Sequence, residues 1–165
     1  MDPVEQTPTE PVDYAAISAT YGVLLGTVVL AAREGDEAQI PAHELLPLGA
    51  AAFALAKLIA KEKAETWVRE PFVDEAAGRP KGRRLRYAVG ELLTCTRCLG
   101  AWSSLGLVAL RVARPREARV VTAVLATSAL NDFLQSGFSA LCAASNQAER
   151  AAGSAPAARN GARVS

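Results

Sequence analysis

The sequence predicts an all-α, multi-pass helical membrane protein of about four transmembrane helices, and three observations lead there. Tyr14 to Ala32 is nineteen residues without a charged side chain, which at about 1.5 Å of rise per residue matches the hydrocarbon core of a bilayer. Half of the 165 residues are hydrophobic but only 5% are aromatic, and the polar residues are gathered between apolar runs instead of alternating with them. Lys and Arg are also divided unequally among the connecting segments, as the loops of a membrane protein are.

The elements follow in chain order. Residues 1–13 hold Pro3, Pro8 and Pro11 among acidic residues, the composition of a disordered acidic leader. They carry no Lys or Arg, so the positive flank of a cleaved signal peptide is missing, and helix 14–32 is expected to stay attached. Arg33 to Glu44 is a short polar connection. Residues 45–60, LLPLGAAAFALAKLIA, form a second apolar helix with Pro47 accepted in its first turn. Lys57 near its end can carry its ammonium to the interface on a long aliphatic stem. Residues 61–91 are a basic cytoplasmic loop, with Trp67 and Phe72 suited to the headgroup level and the RPKGRRLR run suited to anionic lipid.

A third helix covers 92–112 or starts only at Leu99. Pro115 ends it, Arg114 to Arg119 make a basic turn, and 120–144 is the fourth helix. Residues 145–165, rich in Ala, Gly, Ser, Asn and Arg, read as a disordered tail.

Formal net charge is +1 and excludes nothing, whereas its placement sets orientation. Lys61 to Arg97, the tail and the leader hold twelve basic residues, against five in Arg33, Arg111, Arg114, Arg116 and Arg119. Both termini and the long basic loop are therefore expected in the cytoplasm, with the protein in a bacterial inner membrane. If the third helix were re-entrant, both basic loops could be cytoplasmic and the chain would end outside. Partners expected on these grounds are the bilayer, its anionic headgroups and a second copy of the chain. Next to a membrane helix, lipid explains the basic run more simply than nucleic acid does.

Three groups of residues could carry chemistry or assembly. Cys95 and Cys98 bracket Thr96 and Arg97 at the entry to the third helix, where two soft ligands three residues apart can converge on one ion. With three cysteines and one histidine in the chain, a closed four-ligand site needs a homodimer, and its cofactor would be zinc. The two thiols are expected to be free or metal-bound rather than a stable disulfide, and Cys95→Ser with Cys98→Ser to destabilise the protein or its dimer more than Cys142→Ser does. The alternatives are a dithiol that cycles, or small residues that only pack where the chain enters the membrane.

In the fourth helix, Asn131, Asp132 and Gln135 fall along one face with Ser128 and Ser139. They serve as interhelical hydrogen-bond partners, as interfacial residues beyond a span ending at Leu130, or as transport chemistry centred on Asp132. In the first helix, Ser18, Gly22 and Gly26 make a small-residue stripe for close helix packing.

Two stretches, FALAKLIAKEKAETWVREPF from Phe53 to Phe72 and GELLTCTRCLGAW from Gly90 to Trp102, resemble the bacterial integral membrane family known as domain of unknown function 1360. That family combines a basic-flanked Leu-Ile helix end and an Arg-x-Pro-Phe element with a Glu-Leu-Leu-x-Cys-x-x-Cys-x-Gly-x-Trp signature. The resemblance covers about Phe53 to Gln135 and places the signature on Glu91, Cys95, Cys98, Gly100 and Trp102. Family members often carry an aromatic residue between the cysteines, where this chain has Thr96 and Arg97. The family has no established activity, so the resemblance implies a membrane location and no reaction. The leading expectation is a non-enzymatic scaffold or interaction protein. A membrane thiol redox protein or sensor using Cys95 and Cys98 is the second, and a transporter component using Asp132 the third.

Overall fold

The computed structural model describes residues 9–34 and 39–161, so the acidic leader up to Pro8 and the last four residues of the tail lie outside it. The described residues are all-α apart from one two-stranded hairpin. The chain divides into two units, Met1–Ala129 and Leu130–Ser165.

Helix α1 spans Pro11–Glu34, starting three residues before Tyr14. Proline suits a first helical position because its fixed φ is already helical and its missing N–H would have no partner there. The Glu10 N–H donates to Asp13 Oδ2 at 2.8 Å, which is half of a capping box. Within the apolar run, the Thr20 and Thr27 hydroxyls donate to the carbonyls of Ala16 and Val23 at 2.8 and 2.9 Å. Both polar groups are thus satisfied without water. The apolar side chains of α1 face outward, and none of its most apolar stretch is buried within the chain.

Helix α2 spans Ala42–Lys61. Because it begins before Leu45, Pro47 lies inside the helix and not in its first turn. α2 buries Leu48, Ala51, Ala52, Ala54, Ala56 and Ala60, and Ala52, Ala56 and Ala60 recur every four residues. This is a small-xxx-small face that lets a second helix approach closely. Helix α5, Thr96–Ala113, occupies it in antiparallel fashion: Leu107 packs with Leu48, Ala51 and Ala52, while Leu99 packs with Ala56 and Ala60. Beyond Leu48, Arg111 of α5 closes the pair on Glu44, Nε to Oε2 at 2.7 Å. The stripe expected to pack, Ser18, Gly22 and Gly26 on α1, is exposed, and a Cβ on either glycine would meet nothing within 4 Å.

Between α2 and α5 the expected basic loop is folded. A 3-10 turn at Lys63–Glu65 leads to α3, Thr66–Arg69, and then to the hairpin of β1, Val73–Asp74, and β2, Arg79–Pro80. Asp74 Oδ1 accepts the N–H groups of Ala76 and Ala77, both at 3.1 Å, and Gly78 at φ +62° takes the left-handed conformation that closes the turn.

Helix α4, Leu85–Thr94, precedes α5, and the two meet at 89°. The third helix therefore begins neither at Leu92 nor at Leu99: it is two helices with an elbow at Cys95.

Helix α6 spans Pro115–Gly161, so only Arg114 separates it from α5. The expected basic turn from Arg114 to Arg119 is instead a helix start, with Pro115 at the position proline favours. The helix also continues past Ala144, where a tail was expected, through Ala, Gln, Glu and Arg residues that favour helix and past Gly153 and Pro156, which do not. Among the described residues, α1 and α2 are long and apolar enough to cross a membrane, and α4 with α5 makes a third candidate if the bent pair acts as one span. The expected count of four is not reached, because Asn131, Asp132 and Gln135 interrupt the apolar run of α6.

Candidate functional site: the cysteine elbow

Everything distinctive in the signature converges on the α4–α5 elbow. Cys95 is the one residue between the two helices, extended at φ −91°, ψ 103°, and it serves both. Its N–H donates to the carbonyls of Glu91 and Leu92 at 3.0 and 3.3 Å, ending α4. Its carbonyl accepts from the Leu99 N–H at 2.9 Å, starting α5. Its Sγ accepts the Cys98 N–H at 3.4 Å, the position a serine or threonine oxygen takes in an N-cap. The Cys-x-x-Cys spacing thus coincides with the N-cap to N3 spacing of a helix start. Thr94 holds the other side of the joint, its hydroxyl donating toward the carbonyls of Gly90 and Glu91, both at 3.1 Å.

Both thiols are free, Cys95 half-buried and Cys98 exposed. Among the described residues no group of three or more His, Cys, Asp or Glu side chains gathers around a metal position. Within the described residues the pair offers two thiols, short of the four ligands of a closed zinc site.

The remaining signature residues bind the elbow to its neighbours. Glu91 Oε2 accepts the Tyr14 hydroxyl at 2.5 Å, and Trp102 meets Tyr21 edge-on with ring centroids 5.3 Å apart at 75°. Tyr14 and Tyr21 are seven residues apart on α1, two turns along one face, so the same stripe of α1 touches α4 and α5. At the start of α4, Arg84 pairs with Glu10 and with Asp13, the latter at 3.4 Å. Gly100 has open space where a Cβ would stand. Gly90, just before the signature, does not: a Cβ there would lie 2.6 Å from the Phe72 carbonyl and 2.7 Å from Pro80 Cβ. α4 consequently rests directly on the hairpin.

Arg69, of the Arg-x-Pro-Phe element, is only 5% exposed. Its Nη1 donates to the carbonyls of Ile59 at 2.5 Å and Glu62 at 3.2 Å, capping the end of α2. Its Nε donates to Glu75 Oε1 at 2.8 Å, and this guanidinium holds the Glu75 carboxyl below the usual glutamate range. Phe72 accepts the Lys81 N–H at 2.7 Å, and the Pro71 carbonyl accepts from Arg86 Nε at 2.9 Å. Sequence reasoning missed Tyr14, Tyr21, Arg69 and Gly90. Only the seven-residue tyrosine spacing and the position of Arg69 in its short motif could have pointed to them.

Asn131, Asp132 and Gln135 lie on α6 in the second unit, Asn131 and Gln135 exposed and Asp132 half-buried. Cys142 lies there too, exposed.

A family model described as a protein of unknown function, DUF1360, matches residues 47–138. That stretch runs from Pro47 in α2 through the hairpin and the elbow into α6. No curated protein and no solved structure matches the chain. Since the match covers more than half of the sequence and contains the whole elbow, the chain belongs to the DUF1360 family.

Proposed function

We propose that this protein is a non-enzymatic scaffold or interaction protein of a bacterial inner membrane, and that its Cys-x-x-Cys element is a structural joint. The observation behind this reading is the Cys95 Sγ, which accepts the Cys98 N–H at 3.4 Å and so gives the motif spacing a capping role that needs neither metal nor redox partner. The contacts of Glu91 and Trp102 with Tyr14 and Tyr21 support it, because they make the signature a dock for α1. Both termini are cytoplasmic on this reading, with the basic segment on the same side. The pairing of Arg84 with Asp13 supports that side for the start of α1.

A second reading, zinc shared by two cysteine pairs across a homodimer, is favoured by the exposure of Cys98. Metal analysis with thiol counting on detergent-purified protein separates the two. The structural reading expects metal-free protein with free thiols, and about half a zinc per chain would favour the shared site instead. A disulfide that cycles at a reproducible potential would favour a redox role.

A further inference from the structure

We propose that the groove between α2 and α5 binds one anionic phospholipid, its phosphodiester held by Lys57 and Arg97 and an acyl chain lying along Gly49, Phe53 and Gly100. The groove is open to one side, has a volume of about 490 Å³ and is lined by both helices. Its polar end is cationic: Lys57 comes from the last turns of α2 and Arg97 from the first turn of α5, beside Thr96. The antiparallel packing of the two helices brings these turns together. The positive end of the α5 dipole adds to the attraction for an anion. Glu62 Oε1 stands 3.8 Å from Lys57 Nζ, with side chains 52% and 37% exposed. So loose and solvated a pair contributes little and can yield to a phosphate.

The rest of the groove is apolar and is kept open by missing side chains. Neither Gly49 nor Gly100 has a positive φ, and a Cβ at either would meet nothing within 4 Å. Backbone conformation and close packing therefore do not require glycine at Gly100, a signature position. What glycine preserves there is the space. Phe53, 46% exposed, offers an apolar flank. An inorganic phosphate would satisfy the two cations and leave this space empty, whereas a lipid fills both ends. The inference needs α2 to lie in a membrane, as the proposed function does, but it does not need the structural role of the cysteines.

The test is native mass spectrometry of the full chain released from detergent with phosphatidylglycerol or phosphatidylcholine. One phosphatidylglycerol per chain should be retained in preference to phosphatidylcholine. Lys57→Gln with Arg97→Gln should weaken it about thirtyfold, from about 1 kcal/mol for each cation near an anionic headgroup. Gly100→Leu should cause a comparable loss with both cations in place, and Gly49→Leu replaces it if that variant does not fold. Arg114→Gln with Arg116→Gln, exposed and away from the groove, should change nothing, and millimolar inorganic phosphate should not compete. Equal retention of phosphatidylcholine, unchanged binding in the groove variants, an equal loss in the Arg114 and Arg116 control, or displacement by inorganic phosphate would each overturn the proposal. A chain that is extracted as a membrane protein yet retains no phosphatidylglycerol fails this inference alone.

Discussion

Arg69 does at one position what usually takes several residues, closing the end of α2 through two carbonyls while holding Glu75 with its remaining face. A planar, five-donor guanidinium can do this and an ammonium cannot. Arg69→Lys should therefore be nearly as damaging as Arg69→Ala, with about 2 kcal/mol lost in detergent denaturation, the scale of charged hydrogen bonds left unmade in a buried site. The Glu75 side gives this contact a pH dependence. Its carboxyl titrates lower when folded, so its contribution is complete above the unfolded glutamate value of about 4.3 and is lost as pH falls through the folded value. Glu75→Gln should flatten the acid limb of the stability profile, and an unchanged acid limb would show that the pair adds nothing. Glu75 is 41% exposed, which keeps the effect small.

At the scale of elements, the hairpin and α4 are a single packed piece, because the Gly90 surface touches the Phe72 carbonyl and Pro80. Gly90→Ala should cost about 1–3 kcal/mol by overpacking and loosen residues 71–90 to proteolysis, whereas Gly22→Ala on α1 should be close to neutral. The helices themselves were legible in the sequence, since their apolar runs depend only on local composition: α1 and α2 appear within three residues of where their runs place them. The elbow was not. Its two halves are separately unremarkable, and the break depends on Cys95 ending one helix while starting the next, a pattern a continuous apolar reading smooths over. The segment between α2 and α4 was misread as a plain loop because its order comes from long-range partners of Arg69, Phe72 and Gly90, which no periodicity reports. The packing stripe was likewise sought in Gly22 and Gly26, the more recognisable motif, while Ala52, Ala56 and Ala60 supply the face that is used.

Across the whole molecule, two helices suited to a membrane and a third bent candidate make topology the property most worth measuring. Reporter fusions after Gly82 and after Gly153 should both report cytoplasm, and one at residues 35–40 should report the outside, following the excess of Lys and Arg. With α6 short of a span, a periplasmic signal after Gly153 would instead support α4–α5 crossing as one bent span. The central claim is that the cysteine signature is a capped joint on which α1 docks, and substitution at Cys95 tests it most directly. Serine keeps an acceptor for the Cys98 N–H but is a poor metal ligand and cannot form a disulfide; alanine removes the cap. Measured as thermal stability in detergent, Cys95→Ser should match the wild type within about 0.5 kcal/mol, while Cys95→Ala should lose about 1 kcal/mol. Equal losses from serine and alanine would contradict the account and return the pair to metal or redox chemistry.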